Sequence, residues 1–355
     1  MKILIDIGHP AHIHYFKFLI KRLLKKENEV FIVARDKEVA YKLLDNLKLP
    51  YHRRGKGANS MIGKLLYLIK TDILLSFYVH KLNPDVLIGF ASPYIAHVSK
   101  LFAKTNFIFD DTEHANLNHT LYKNYASVIL TPTTFKKDMG KNHIRFNSYM
   151  ELCYLHPNHF NEKSVIEIEE LKNIKNYIVI RFVSWNANHD IGQKGFSLKE
   201  KINIVMELSK IHKVFISSES ILPKELEKFK LNISPDLIHS VLSNATLFIG
   251  EGATMASECA MLGTPAIYVN SLSVGYLEEQ QKYGLVYCYR NPEGVLEKAL
   301  ELLGNPKLKD EALANQQRML ADKIDATSFM EWFIENYPES LKVMKENPEY
   351  QYNFR

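Results

Sequence analysis

Cysteine is scarce in this 355-residue chain, which contains three. They are far apart and form no CxxC pair, so the sequence excludes a disulfide framework and a zinc knuckle. Long hydrophobic runs are also lacking, since no stretch approaches the roughly 20 apolar residues that a membrane span needs. The opening MKILIDIGHPA places Asp6 inside an apolar run, which favours a first strand over a signal peptide. These absences predict a cytoplasmic protein.

Acidic residues are under-represented in the first half of the chain. Residues 1–160 contain 23 Lys or Arg against 13 Asp or Glu, whereas the remainder contains 22 against 27. This excess of basic residues favours an acidic substrate or an anionic membrane surface. It therefore predicts a peripheral protein at the inner face of the cell membrane. We expect no nucleic-acid partner, because the sequence has no RNA-binding aromatic motif and no helix-turn-helix pattern.

Strand and helix patterns alternate along the chain, and the alternation restarts near residue 177. With 46% hydrophobic residues and more than one domain's length, the sequence predicts an α/β protein with two doubly wound, Rossmann-like domains facing across a cleft. The expected boundaries are residues 1–160, residues 161–325, and a helical tail, residues 326–355, that packs back on the first domain. Residues 223–229 are also predicted to be helical.

A long apolar helix is predicted at residues 61–82. Its leucine, isoleucine and phenylalanine residues are interrupted by Lys64 and Lys70. One interpretation is a helix packed on the sheet, and the other is a surface that touches a bilayer or a lipid-linked acceptor.

Residues 246–269 predict a strand, a glycine turn, a helix and a second strand. The free N–H groups at the start of such a helix favour a phosphate, which places a nucleotide diphosphate at Gly252, Ala253, Thr254 and Met255. Glu258 is about two turns further on, where its carboxylate can accept hydrogen bonds from ribose hydroxyls. The alternative is that the glycines only permit a tight turn and that Glu258 is a solvated helix residue.

A histidine-rich loop follows the first predicted strand and runs from Gly8 and His9 to His14. Loops at this position in a doubly wound sheet face a ligand crevice. His12, near the start of the next helix, suits a general base. A zinc site in this loop stays an alternative, although the HxxHxH spacing is not a standard ligand pattern.

A second cluster, Asp110-Asp111-Thr112-Glu113-His114, directly follows a buried strand. Crowded carboxylates raise one another's pKa and can act as an acid or a base. Asp111, Glu113 and His114 are therefore candidate catalytic residues, and helix caps or solvated turn residues are the alternative.

Further candidates follow strands of the second half. Arg181 can neutralise a leaving diphosphate, and His189 can act in catalysis. Ser217 and Glu219 offer polar groups to a nucleotide. At the helix predicted at residues 235–243, Ile238 and His239 can abut the base of the nucleotide.

Taken together, these motifs resemble the GT-B superfamily. Gly8-His9-Pro10-Ala11-His12 is similar to the glycine-rich loop of the lipid II-forming N-acetylglucosaminyltransferase. Glu251-Gly252-Ala253-Thr254, with Glu258 and Gly263-Thr264-Pro265, resembles its donor motif and that of UDP-N-acetylglucosamine 2-epimerases. Residues 111–115 occupy the place of the epimerase His-Val-Glu-Ala-Gly segment. The whole chain also resembles a prokaryotic family, domain of unknown function 354.

The resemblance implies a metal-independent glycosyltransferase with a UDP-sugar as donor substrate and no cofactor. It implies an acceptor-side first domain, a nucleotide-sugar-binding second domain, and a role in cell-envelope polysaccharide or glycolipid assembly. His12 would take the base position of the transferase, and Glu113 that of the epimerase's catalytic glutamate. Glu251 would belong to the donor motif. The alternatives are a 2-epimerase and, less favoured, a metallohydrolase or a nucleotide-sugar sensor.

Overall fold

The chain divides into two compact units in the computed structural model. Unit 1 contains Met1–Tyr154 and Ile324–Arg355, and unit 2 contains Leu155–Lys323. The structure describes residues 1–58, 60–160, 171–172, 174–183, 195–218 and 221–355. Each unit has its own parallel sheet and its own buried apolar core.

Unit 1 is built on a parallel sheet of seven strands among the described residues, in the order β3-β2-β1-β4-β5-β6-β7. The strands are almost entirely apolar where helices cover both faces, as expected for a parallel sheet. They are β1 (Lys2–Ile7), β2 (Glu29–Asp36), β3 (His52–Lys56), β4 (Val86–Phe90), β5 (Thr105–Phe109), β6 (Val128–Pro132) and β7 (His143–Phe146).

The first five helices of unit 1 each connect two consecutive strands. They are α1 (Pro10–Lys25), α2 (Ala40–Asn46), α3 (Met61–Leu82), α4 (Pro93–Leu101) and α5 (Asn116–Tyr122), followed by the short α6 (Leu152–Leu155). The predicted helix at residues 61–82 is confirmed with the same bounds. No helix in the described part of the chain is both long and apolar enough to cross a bilayer.

The C-terminal segment belongs to unit 1. It forms α13 (Ala326–Glu335), α14 (Glu339–Glu346) and a 3₁₀ segment (Pro348–Phe354). Phe329 and Phe333 are fully buried, and the Phe333 ring lies edge-on to that of Phe107, with 5.9 Å between centroids. Arg22 of α1 donates to the Glu331 carboxylate at 2.9 Å. Apolar packing and an ion pair therefore hold this segment in unit 1.

Unit 2 contains a parallel sheet of five strands among its described residues, in the order β12-β11-β10-β8-β9. The strands are β8 (Tyr177–Phe182), β9 (Lys213–Ser218), β10 (Leu247–Gly250), β11 (Ala266–Val269) and β12 (Val286–Tyr289). The helices are α7 (Leu198–Leu208), α8 (Ile238–Asn244), α9 (Ala253–Met261), α10 (Gly275–Lys282), α11 (Val295–Leu303) and α12 (Leu308–Asp322). Two doubly wound α/β units thus confirm the predicted fold class.

One local expectation is wrong, and a second is confirmed in part. The helix predicted at residues 223–229 is reduced to a 3₁₀ turn, Glu227–Phe229. Leu226, which precedes the turn, is fully buried. So short a segment forms too few helical hydrogen bonds to offset the free-energy cost of helix nucleation. The helix predicted at residues 235–243 begins as a 3₁₀ turn, Pro235–Leu237, before α8.

Candidate functional site

The N-terminus of α9 lies at the carboxyl edge of the unit 2 sheet. Gly252 is its N-cap and has no side chain that could accept from the first N–H groups; none of the described side chains caps this helix. Residues 252–255 are partly exposed, whereas residues 256–261 are buried. The first turn therefore presents backbone donors and the positive end of the helix dipole to solvent. The sequence predicts a nucleotide diphosphate at the residues of this turn, Gly252, Ala253, Thr254 and Met255.

Glycines lie on both sides of α9, at the end of β10 and after the last helical turn. A Cβ on Gly250 would lie 2.5 Å from Cζ of Phe248 and 3.1 Å from Cβ of Arg181, so a side chain there would require the buried Phe248 ring to move. Gly263, just after the last turn of α9, has a φ of +70°, which favours glycine. Parallel pairing of Phe248 with Ala266 then completes the predicted βαβ unit.

The turn lies beside the topological switch point of the unit 2 sheet. β8 is the first strand of the sheet, and the order reverses around it, with β9 on one side and β10 on the other. The register pairs Arg181 with both Gly250 and Ser217. Nη1 of Arg181 donates to Oγ of Ser217 at 2.7 Å. The structure therefore brings Arg181 and Ser217 to the edge at which α9 begins.

Glu258 and His239 form a buried pair behind that edge. Nε2 of His239 lies 2.9 Å from Oε1 of Glu258, and the residues are 6% and 7% exposed, respectively. The contact joins α8 to α9 and fixes the orientation of the carboxylate. Glu258 is therefore not the solvated helix residue of the alternative interpretation. Ile238, next to His239, is partly exposed at the start of α8.

The Glu251 side chain is turned into the protein and not toward the N-terminus of α9. Its carboxylate accepts from the N–H of Val183 at 3.0 Å and of Phe196 at 2.8 Å, with Nζ of Lys201 at 3.6 Å. Burial raises its pKa. This carboxylate thus holds backbone on both sides of residues 184–194, and a direct contact with a nucleotide has no support from its geometry. His189 and Glu219 lie outside the described residues.

In unit 1 the histidine loop lies at the corresponding switch point, between β1 and β4. His9 is the N-cap of α1, and its Nδ1 accepts from the N–H of Ala11 at 3.2 Å. Nδ1 of His12 accepts from the N–H of Gly8, also at 3.2 Å, and the His12 ring lies 4.8 Å from that of Phe90.

The His12 contacts determine its protonation. Because Nδ1 accepts a hydrogen bond, the neutral ring carries its proton on Nε2 and offers a donor there. Burial and the positive charges of nearby groups, including Arg54, hold its pKa well below the usual value for histidine. For Nε2 to accept a proton as a general base, the Gly8 hydrogen bond must first break.

A buried ion pair lies behind this loop, and the sequence analysis did not find it. Nε of Arg54 is 3.1 Å from Oδ1 of Asp6, and Oγ of Ser92 donates to Oδ2 at 2.8 Å. Nη2 of Arg54 lies 3.3 Å from the position of a Cβ on Gly8. Asp6, an acidic residue inside an apolar strand, was the signal that could have predicted it.

The two aspartates of the acidic cluster after β5 have different surroundings. Asp110 is fully buried, accepts from the Tyr122 hydroxyl at 2.5 Å, and lies 3.3 Å from Nε2 of His119. Asp111 retains some solvent access, yet its low-dielectric surroundings and the charge of Asp110 raise its pKa to about 7. A group that titrates near neutrality suits proton transfer.

The last two members of the cluster have less enclosed positions. Oε1 of Glu113 accepts from the backbone N–H of Lys136, and the side chain is partly exposed. His114 is exposed. Within the residues that the structure describes, no three His, Cys, Asp or Glu side chains are grouped to hold a metal ion.

A cavity of about 240 Å³ adjoins the carboxyl ends of β11 and β12 and was also missed. Its polar lining includes Asn270, whose amide donates to the carbonyl of Glu251 at 3.1 Å, and Arg290. Other lining residues are Tyr268, Ser273, Glu278 and Tyr289. These residues are spread over 23 positions of chain, so no local motif marked the cavity.

Comparison with known proteins places the chain in a family. The model of a protein family of unknown function, DUF354, matches residues 1–318. The chain belongs to this family. A curated relative of this DUF354 protein, an uncharacterized protein of Methanocaldococcus jannaschii, is 27% identical over 282 residues, which are 74% of this chain and 80% of the relative.

Solved structures share the fold of this DUF354 protein. The UDP-GlcNAc 2-epimerase of Neisseria meningitidis, bound to UDP-GlcNAc, matches 95% of this chain and 100% of its own, with a TM-score of 0.69 and 13% identity. The spinosyn rhamnosyltransferase SpnG matches 95% and 100%, with a TM-score of 0.61 and 12% identity. At these identities the likeness shows a GT-B-type fold.

Proposed function

We propose that this protein is a nucleotide-sugar-dependent glycosyltransferase whose donor substrate is a UDP-sugar. The observation that carries the proposal is the open N-terminus of α9 at the switch point of the unit 2 sheet. Backbone N–H groups at residues 252–255 would bind the diphosphate, and Arg181 would add a positive charge to stabilise it as it departs. In this proposal the helix and Arg181 do electrostatically what a metal ion does in other transferases.

Glu258 would hold the ribose of the donor. Its carboxylate, whose Oε1 faces His239, would accept hydrogen bonds from the vicinal hydroxyls. Ile238 and His239 would lie near the base, and Ser217 would support Arg181. Glu251 would act indirectly, because it holds the backbone that flanks residues 184–194.

The proton of the acceptor hydroxyl would pass to a group of unit 1. Asp111, with a pKa raised to about 7, exists in both forms near neutrality and so can accept a proton. His12 is the other candidate, provided that its bond to Gly8 opens, and otherwise its Nε2–H would stabilise an oxygen as a donor. Glu113 would accept the proton in place of either residue.

A second candidate function is UDP-N-acetylglucosamine 2-epimerisation. It is favoured by the likeness of fold to the UDP-GlcNAc 2-epimerase of Neisseria meningitidis. In that reaction UDP would be eliminated across the C1–C2 bond of the sugar and added back, with Glu113 as an acid or base. No acceptor would be needed, which separates the two functions experimentally.

We further propose a lipid-linked or acidic acceptor and a role in cell-envelope polysaccharide or glycolipid assembly. The excess of basic residues in the first 160 positions supports an anionic acceptor and contact with the inner face of the cell membrane.

Incubation with UDP-N-acetylglucosamine alone, followed by NMR of the sugar, tests the reaction type. The transferase proposal predicts binding without epimerised product. Accumulation of the 2-epimer would overturn it in favour of the second candidate. Zinc would be tested in parallel, and sugar turnover that requires added zinc would favour a metallohydrolase.

A further inference from the structure

Helix α3 has two apolar stripes, and the fold buries one of them. Tyr67, Thr71, Leu75 and Val79 face the interior of unit 1 at a spacing of four residues. A second stripe, which we call the outer stripe, consists of residues that remain exposed. Its members and their exposed fractions are Ile62 (75%), Leu66 (62%), Ile69 (48%), Ile73 (67%) and Phe77 (55%).

The outer stripe follows one side of the helix. Its residues are three or four positions apart, the spacing that aligns side chains on a helix surface. Met61 and Leu65, 73% and 60% exposed, widen it at the N-terminal end. From Ile62 to Phe77 it runs for about 22 Å at 1.5 Å per residue. A continuous apolar surface of this length is rare on a protein without a partner.

Positive charge borders the outer stripe. Lys70 lies on the turn between Leu66 and Ile73, and Nζ of Lys81 lies 5.9 Å from the centroid of the Phe77 ring. Residues 52–82 contain six Lys or Arg and a single acidic residue, Asp72. Asp72 is engaged by His97, with 2.9 Å between Oδ2 and Nδ1.

The charge distinguishes between possible occupants of the stripe. A second copy of this chain would bring the same cations close to one another, which like-charge repulsion disfavours. An anionic bilayer offers both of the environments that the helix presents: acyl chains for the apolar stripe and phosphates for the lysines. Lysine stems can lie along apolar surface while the ammonium groups reach the headgroups.

We propose that α3 docks lengthwise on an anionic lipid bilayer, with the outer stripe in the outermost acyl region and Lys70 and Lys81 at the headgroups. The contact is interfacial, in keeping with the absence of any bilayer-crossing helix among the described residues. The inference rests on the proposed function for its purpose, because it gives the membrane contact of the proposed transferase a location. Its geometry depends on α3 alone.

Sedimentation of the full-length protein with large unilamellar vesicles tests this docking. We expect binding to vesicles that contain phosphatidylglycerol in phosphatidylcholine, and at least about tenfold weaker binding to phosphatidylcholine alone. Ile73→Glu should reduce the partition constant at least about tenfold, because a charge replaces a side chain that would enter the acyl region. Ile211→Glu, at a residue of unit 2 that is 54% exposed, is the matched control and should bind as the wild type does.

A charge variant and two independent measurements complete the test. Lys70→Glu/Lys81→Glu should lose the preference for phosphatidylglycerol. No vesicle binding by the wild type, or full binding by Ile73→Glu with unchanged thermal melting, would overturn the proposal. An oligomer that Ile73→Glu converts to a monomer would instead assign the stripe to a second copy. UDP calorimetry on the same variants tests the proposed function separately, since the proposed nucleotide site consists of unit 2 residues and α3 belongs to unit 1.

Discussion

Glu258 and His239 form a buried, hydrogen-bonded pair in the proposed nucleotide site. Both side chains are buried and are joined at 2.9 Å. We propose that His239 is a positioning residue, which orients the carboxylate that binds ribose. A buried carboxylate held by a neighbouring imidazole has little freedom to turn, which preorganises it for a ligand.

Glu258→Ala should weaken UDP binding by about 1–3 kcal/mol, as for a lost charged hydrogen bond. The discriminating measurement is calorimetry with UDP and 2′-deoxy-UDP. The wild type should prefer UDP, whereas Glu258→Ala should bind both nucleotides equally. His239→Ala should reduce the preference in part, and a wild type that does not distinguish the nucleotides would remove Glu258 from ribose binding.

Asp111 makes a second residue-scale prediction through pH. Its pKa is raised from 3.8 to about 7 by burial and by Asp110, so the folded protein binds more protons than the unfolded chain between these values. The stabilisation is therefore complete below about pH 4 and is lost as pH rises through about 7. In urea unfolding, the free energy of unfolding of the wild type should decline relative to that of Asp111→Asn as the pH rises over this range. Parallel stability curves would contradict the raised pKa.

At the scale of elements, the start of α9 is the decisive feature. Thr254→Asp places a negative charge in the first helical turn, where it interacts favourably with the helix dipole. We expect a gain in stability of about 0.3–1 kcal/mol, together with at least about tenfold weaker UDP binding, because the carboxylate repels the diphosphate. Thr254→Asn is the neutral control. Unaltered UDP affinity in Thr254→Asp would place the diphosphate elsewhere.

Elements with strong local signals could be predicted from the sequence. The βαβ unit around α9 was predicted because its apolar runs are short, the first run ends at Gly250, and the helix pattern ends at Gly263. α3 was predicted with the correct bounds, but not the face it exposes, since both of its stripes are apolar. β7 was missed because four residues with alternating burial give a weak signal.

Parts of the candidate site that depend on tertiary packing could not be predicted. Glu258 and His239 are 19 residues apart, and their contact exists because α8 packs on α9. Two adjacent aspartates look equivalent in sequence, yet Asp110 is fully buried and Asp111 retains solvent access. Glu251 was expected in the nucleotide site from its motif, whereas its two backbone partners come from positions on either side of residues 184–194.

At the scale of the whole molecule, each unit has its own core, and unit 1 depends on the C-terminal segment. Phe333→Ala removes a fully buried ring and should cost about 3–5 kcal/mol in unit 1. Hydrogen exchange should show faster exchange in β5 and α13, with protection in β8 and β10 unchanged. Leu208→Ala, in the core of unit 2, should give the converse pattern. Equal loss of protection in both units would show that they unfold as one.

The central claim is that a nucleoside diphosphate binds at the N-terminus of α9, and titration of the full-length protein with UDP tests it most directly. Calorimetry should detect saturable one-to-one binding that Thr254→Asp weakens at least about tenfold, while Thr254→Asn retains most of the affinity. The absence of binding heat with UDP at several temperatures, and with every other nucleoside diphosphate tested, would contradict the account.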